Sequence, residues 1–295
     1  MQPRDIAAYS FLAIAWGLSF LLLLKVVHAF GWIGAVTFRC FLAGLILLAA
    51  ARLRGRKLDF SVGWLPFLVI GATTVAGQLI GLSYSTPLIG TAMAAIFVAT
   101  IPLFSMIIGQ LWGIERITPP RVLGLLLGTV GIVMLVGFPA APVDASFLLG
   151  CVGMLFSTFS AAFGSNYASR HLRATGAWET TIGSFLWGGL MTLPLIYFVP
   201  VPVSPEPIDY LYLVMLAGVM SSLTYVTYFN LVSRIGATRA ISVEFVVTIV
   251  AVLVGALALG EQLTAMQLVG AAVIIAGCSL VLGLLPLKPK AQVAN

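Results

Sequence analysis

Residues Gly90 to Leu135 recur without a gap 146 positions later (261 − 115) as Gly236 to Val281. Gly90 aligns with Gly236, Ala94 with Ala240, Gly109 with Gly255, Glu115 with Glu261, Thr118 with Thr264, Gly124 with Gly270 and Gly131 with Gly277. Each copy reads as an apolar run of helix length, a Glu-x-x-Thr turn, and a second apolar run with glycines seven apart. Self-similarity at half-chain spacing restricts the fold to two copies of one unit. In a very apolar chain it points to a carrier built on structural repeats.

Apolarity is the second constraint. Charged residues make up 8% of the chain and hydrophobic ones 61%, with a mean hydropathy of +1.12. A soluble domain carries about 25% charged residues, so these few charges could not cover a water-facing surface. The chain reads as a polytopic membrane protein. A hydrocarbon core of about 30 Å takes roughly 20 apolar residues per helix. Ten segments meet that length, near 6–27, 33–51, 62–85, 91–112, 119–137, 147–169, 180–199, 210–233, 238–259 and 264–285. Arg52 to Lys57 form a charged loop between them, Pro119 and Pro120 suit a helix start, and a proline-rich linker covers 200–207.

The net charge of +6 has a definite placement. With the N-terminus inside, one face holds Arg4, Arg52, Arg54, Arg56, Lys57, Arg116, Arg121, Arg170, Arg173, Arg234, Arg239, Lys288 and Lys290, thirteen of the fifteen Lys and Arg. Lys25 and Arg39 lie within apolar segments. The opposite loops carry Asp144, Glu206, Asp209 and Glu261. Basic loops stay in the cytoplasm, which puts both termini there and attributes the positive balance to the membrane surface, with no nucleic-acid partner. Five helices per copy is an odd number, so the second copy must be inserted upside down. The expected fold is an all-α integral membrane protein of ten transmembrane helices, arranged as two inverted five-helix repeats around a central cavity. Its parts are a first repeat over 1–138, a linker over 139–146, a second repeat over 147–287 and a cytoplasmic tail over 288–295. A site is expected near mid-membrane between the halves.

The Glu-x-x-Thr turn followed by Gly-x6-Gly, together with Ala15-Trp16-Gly17, Arg39-Cys-Phe-Leu and Pro102, resembles the drug/metabolite transporter superfamily in its ten-helix EamA-type branch. The likeness runs over nearly the whole chain and is similar to the bacterial aromatic amino-acid exporters. It implies an inner-membrane exporter of amino acids, aromatic or broadly chosen, or of other small metabolites or amphiphilic drugs, working by alternating access. It also implies a cavity lined by the first, third, fourth, sixth, eighth and ninth helices. Two departures stand out: Thr248 occupies the place of Pro102, and Phe163-Gly164 that of Trp16-Gly17.

Polar groups inside a membrane are costly unless paired or wetted, so they mark candidate sites. Glu244 is expected within the ninth helix, as a proton carrier or an anchor for a substrate amine; the alternative is a carboxylate held by nearby Tyr or Asn groups. Arg39 is suited to a substrate carboxylate, to tying helices together through backbone carbonyls, or to snorkelling. Lys25 is most simply a snorkelling residue. Thr74, Gln78, Gly81 and Ser85 share a face of the third helix, and Thr224 and Thr227, with Tyr225 and Tyr228 beside them, occupy matching places in the eighth. These residues, with Tyr84, suit either a cavity wall or helix–helix hydrogen bonding. Trp16, Phe20, Phe97, Phe163, Tyr167 and Trp187 are the mid-helix aromatics suited to a cavity lining, the alternative being lipid-facing packing or an interfacial belt. The expected substrate-cavity set is thus Trp16, Phe20, Thr74, Gln78, Tyr84, Phe97, Phe163, Tyr167, Trp187, Thr224, Thr227, Tyr228 and Glu244. Gly90, Pro102 and Gly236 are the expected bending points. Gly124-x3-Gly128 allows close helix approach, for internal packing ahead of a dimer.

Other chemistries lack their residues. Cys40, Cys151 and Cys278 stand singly in apolar runs, and His28 and His171 are the only histidines, so no metal or other cofactor is expected. No P-loop sequence is present to bind ATP. Gly81 to Ser85 lacks the final glycine of a nucleophile elbow. An intramembrane lipid-modifying enzyme is the alternative of a different class, and a catalytic polar cluster for it is missing. The expected partners are amino acids or similar small metabolites, and membrane lipids.

Overall fold

A backbone that crosses lipid must satisfy its own hydrogen bonds, and an isolated span can do so only as a helix. The computed structural model describes residues 2–98, 100–114, 116, 118–136, 144–172, 174–199, 201, 204–250 and 265–282, and its regular structure is helical throughout. The first run, α1 (Pro3–Leu53), reverses at Gly31, whose φ of 72° and ψ of 163° favour glycine, and so supplies two spans. α2 (Leu65–Ile70) passes through a π-helical stretch, Gly71–Gly77, into α3 (Gln78–Val98). α4 (Ile101–Leu111), α5 (Pro119–Val136), α6 (Ala145–His171) and α7 (Ala177–Thr192) follow. A 3-10 turn, Leu193–Tyr197, closes α7. α8 (Pro207–Ala217) passes through a second π-helical stretch, Gly218–Leu223, into α9 (Thr224–Ile235). Gly236, with φ 88° and ψ 162°, turns the chain directly into α10 (Ala237–Ile241). α11 covers residues 243–250 and α12 is Ala265–Leu282. The described residues thus form ten spans, with α2 and α3 making the third, the end of α3 and α4 the fourth, α8 and α9 the eighth, and α10 and α11 the ninth.

The inversion is visible where α5 crosses α12. A Cβ on Gly124 would lie 2.7 Å from the Gly277 carbonyl oxygen, and one on Gly131 would lie 2.9 Å from that of Gly270. In the sequence repeat Gly124 corresponds to Gly270 and Gly131 to Gly277, so the two contacts are images of one another. Position rises along α5 as it falls along α12, so the helices run antiparallel. The glycine stripe therefore serves internal packing, with Gly128 against the Phe245 ring. The two π-helical stretches also sit at matching places in the two halves. A π stretch frees carbonyl groups. In the second half the Ser221 hydroxyl donates to the Leu216 carbonyl at 2.7 Å, and that of Ser222 to Ala217 at 2.9 Å and Ala43 at 3.0 Å.

Two spans expected as unbroken helices are interrupted. The fourth breaks between Val98 and Ile101, where Thr100 makes a turn with its N–H on the Phe97 carbonyl. Pro102 follows in the first turn of α4, where a proline supplies no N–H to continue the ladder from the preceding helix. The ninth breaks at Ser242, whose hydroxyl donates to the Arg239 carbonyl at 2.8 Å, a local bond that competes with the helical ladder. The seventh helix begins at Ala177, three residues ahead of the expected 180, and takes Glu179 into its first buried turn. Helical hydrogen bonding runs through Pro87 to Val98. Glu115, Glu261 and residues 137–143 lie outside the described residues, as does the side chain of Phe20, while Gly90, an expected bending point, sits inside the helical run Gln78–Val98.

Candidate functional site

The interruption at Ser242 puts Glu244 in the first turn of α11. The residue is 7% exposed. Three buried tyrosines belong to the neighbouring spans: Tyr9 of the first and Tyr225 and Tyr228 of the eighth. Tyr9 Oη lies 3.2 Å from Ser242 Oγ at the break itself. Trp16 sets its ring 5.4 Å from Tyr228 and 5.8 Å from Tyr225, and Phe185 of α7 meets Tyr225 edge-on at 4.8 Å. Four aromatic rings therefore meet where α1, from the first half, touches α7 and α9 of the second, and α11, which carries Glu244, closes on the same span at Gly17.

Hydrogen bonds between buried side chains hold this cluster in register. Tyr228 Oη pairs with Ser165 Oγ of α6 at 2.6 Å. Asn166 Nδ2 donates to Ser105 Oγ at 2.9 Å and to the Ser105 carbonyl at 3.1 Å, and Ser105 Oγ lies 3.2 Å from Thr238 Oγ1. The fourth, sixth and ninth spans are joined in this way. A Cβ on Gly17 would strike Val250 and Val247, so the glycine lets the first span close on α11.

Arg39, in the second arm of α1, is 5% exposed. Its Nε donates to Ser221 Oγ, and its Nη2 reaches the Met220 carbonyl at 3.5 Å, so it fastens the second span to the π-helical stretch of the eighth. Lys25 is exposed and donates to Tyr212 Oη at 3.3 Å while lying over that ring.

The other candidate residues fall in separate places. Phe163 and Tyr167 belong to a ladder along α6 that runs from Phe159 to His171 and meets Trp112 of α4. Trp187 lies against Trp64, which is 60% exposed, and Tyr84 against Trp32. Phe97 is half-buried at the edge of the core. Thr74 packs on Gly164, and Ser157 donates to the Gln78 carbonyl at 2.7 Å, which places the third helix's polar stripe along its seam with α6. Thr224 and Thr227 donate to carbonyls one turn back, those of Met220 and Leu223. Of the expected cavity set, Trp16 and Tyr228 come together, and Glu244 is buried on α11.

Residue type alone did not single out Tyr9, Phe185, Ser165 or Asn166. Asn166 carried the one available signal, an amide deep in an apolar run. Asp5 is a further addition. Its carboxylate binds Arg234 Nη1 at 2.9 Å, joining the start of the first span to the end of the eighth on the face that bears the basic loops. Burial pushes the Asp5 carboxyl upwards, but the Arg234 hydrogen bond, the Gln2 backbone and the charges of Arg234 and Arg4 outweigh it and hold it below the usual carboxylate range. A recess of about 310 Å³ beside this pair is lined by Arg116, Arg121 and Arg234. At the other end of the spans, a groove of about 790 Å³ runs between Phe30, Phe38, Phe41, Leu42, Tyr210 and Leu213.

A family model described as the EamA-like transporter family matches residues 6–137 and again 148–283. The uncharacterized inner membrane transporter YedA of Escherichia coli K12 is 29% identical over 285 residues, covering 94% of this chain and 91% of its own. Protein PecM of Dickeya dadantii is 26% identical over 280 residues, covering 92% and 89%. One solved crystal structure shares the fold with a TM-score of 0.79 at 18% identity, over 96% of this chain and 98% of that one.

Proposed function

Because the chain belongs to the EamA-like transporter family, whose relatives include multi-pass inner-membrane transporters, we propose that it exports amino acids, aromatic or broadly chosen, by alternating access. The observation that supports this reading is the meeting of Trp16, Phe185, Tyr225 and Tyr228 at the seam of the halves, with the buried Glu244 on α11, which closes on the same span at Gly17. Aromatic rings offer offset and edge-on faces to an aromatic side chain, and a carboxylate with ring faces beside it suits an ammonium. Trp16, Tyr228 and Glu244 are the substrate contacts in this account, and Glu244 doubles as the proton carrier if export is coupled.

Both termini lie in the cytoplasm, following the thirteen basic residues. The Asp5–Arg234 pair then closes the cytoplasmic mouth, and the repeats 1–138 and 147–287 rock about the seam when it parts. Gly236 and the break before Pro102 are the bending points, since interrupted helices are where repeat-built carriers place site and hinge. Full-length protein in proteoliposomes, offered radiolabelled amino acids, nucleosides and amphiphilic drugs with and without a pH gradient, tests the reading. Saturable amino-acid flux is expected, and flux of the other classes alone overturns it. A second reading, export of amphiphiles, draws on the mostly apolar groove between Phe38 and Tyr210, and the same panel separates the two.

A further inference from the structure

Away from the aromatic cluster, the basic face holds a recess that export of an amino acid does not call on. It is about 310 Å³ in volume and receives Arg116 from the turn before α5, Arg121 from the first turn of α5, and Arg234 from the last turn of α9. Arg121 Nη1 reaches the Arg116 carbonyl at 3.4 Å, which draws the start of α5 over the preceding turn. Ser169 of α6 and Ser233 of α9 add hydroxyls to the wall, and among the described residues no carboxylate lines it. A cleft lined by one sign of charge gathers counter-ions. Liquid water takes about 30 Å³ per molecule, so the space admits a tetrahedral oxyanion together with several waters.

Arg234 faces two ways. Its Nη1 donates to Asp5 Oδ1 at 2.9 Å, and its side chain is still 37% exposed. It also lines a neighbouring recess with Gln2, Arg4 and Asp5. A guanidinium presents its N–H donors as a planar fork, so one edge holds Asp5 while another is turned to the arginine recess. Arg116 and Arg121 belong to the first half of the chain, and Arg234 and both serines to the second. An occupant that meets all three arginines therefore spans the seam.

The chemistry of the wall selects that occupant. A carboxylate has two oxygens in one plane and is met by a single fork. The oxygens of a phosphate group point tetrahedrally, so it is met by forks arriving from several sides. Basic pockets between spans at the charged face of a membrane suit anionic headgroups. We propose that the recess between Arg116, Arg121 and Arg234 binds a phosphate group, presented by an anionic phospholipid or as free phosphate, and that the site shares Arg234 with Asp5. It is separate from the aromatic cluster and does not depend on which solute is exported.

Full-length protein in detergent, stripped of lipid, provides the test. It is titrated with inorganic phosphate, with acetate at matched ionic strength, and with short-chain phosphatidylglycerol or phosphatidylcholine, whose ammonium neutralises its own phosphate. A ligand that binds only the folded state raises the unfolding midpoint. A saturable rise is expected with phosphate or phosphatidylglycerol, and none with acetate or phosphatidylcholine. A response to inorganic phosphate assigns a soluble anion, and a response to phosphatidylglycerol alone assigns a lipid headgroup. Arg116 is exposed, so Arg116→Gln should fold normally and raise the concentration of half effect by about threefold, the ordinary worth of an exposed ion pair. Adding Arg121→Gln should abolish the response. Asp5→Asn, which takes away the competing carboxylate, should lower the concentration of half effect by about threefold. A response to the phosphate probes no larger than that to acetate or phosphatidylcholine overturns the site, as does an unchanged half-effect concentration in Arg116→Gln. No effect of Asp5→Asn overturns the sharing of Arg234. Glu115 precedes Arg116 in the chain, and a response seen only in Glu115→Gln protein would give the recess to that carboxylate and overturn the proposal.

Discussion

At the crossing of α5 and α12 the backbones themselves touch. A Cβ placed on Gly277 would lie 2.6 Å from the Gly124 carbonyl oxygen and 2.6 Å from the Gly128 nitrogen. Neither obstacle is the flexible end of a side chain. Ordinary contact begins near 3.4 Å, so Gly277→Ala must part the helices by close to 1 Å along a packed interface. Overpacking of this kind costs typically about 1–3 kcal/mol. With roughly 2–4 °C per kcal/mol for chains somewhat smaller than this one, the expected loss is about 2–12 °C in the unfolding midpoint of detergent-purified protein. Gly34 provides the control. A Cβ there meets Phe30 and Phe38 at an unstrained 3.5 Å, and alanine is the better helix former by roughly 0.5–1 kcal/mol, so Gly34→Ala should be neutral or stabilising. Adding Gly124→Ala to Gly277→Ala should cost less than the sum of the two, because one separation relieves both. A Gly277→Ala midpoint equal to the unaltered protein's, or additive effects of the pair, would refute the account of this crossing and the pseudo-twofold read from it.

The other predictions concern topology and the basic face. Single cysteines placed beside Glu115 and Glu261 should react with impermeant reagents from opposite sides of the membrane, and labelling of both from one side contradicts the inverted insertion. Asp5 is held below its usual range by Arg234, so its contribution to stability is present above its unfolded pKa of about 3.9 and is lost as pH falls through the lower folded value. Asp5→Asn should therefore lower the unfolding midpoint at neutral pH and flatten its fall in acid, and an unaltered acid limb would count against the pair. The same variant should raise the reactivity of a cysteine at position 9 or 242 towards reagents applied from the basic face, as the mouth loosens.

The sequence by itself determined the architecture. Helix count, the odd number of spans per repeat, and the opposed insertion follow from apolar run lengths, the 146-residue repeat and the sorting of Arg and Lys. Each depends on a long-range average that a lipid solvent enforces whatever the neighbours do. It also marked Glu244 and Arg39, because an ionised side chain inside an apolar run is conspicuous without any partner being known. Tertiary structure alone decided which aromatics share a site. Trp16, Phe163 and Trp187 look alike in the chain, yet Trp16 meets Tyr225 and Tyr228 while the other two join the α6 ladder and Trp64. Their faces are set by crossing angles, and those are fixed by close glycine contacts such as Gly17 on Val250 and Gly164 on Thr74. The breaks at Thr100 and Ser242 belong to the same class. A proline two residues on hints at the first, but the second depends on one serine hydroxyl turning to the Arg239 carbonyl, a choice between local and helical bonding that the packed surroundings settle. That choice puts Glu244, expected about two turns into a continuous ninth helix, in the first turn of α11.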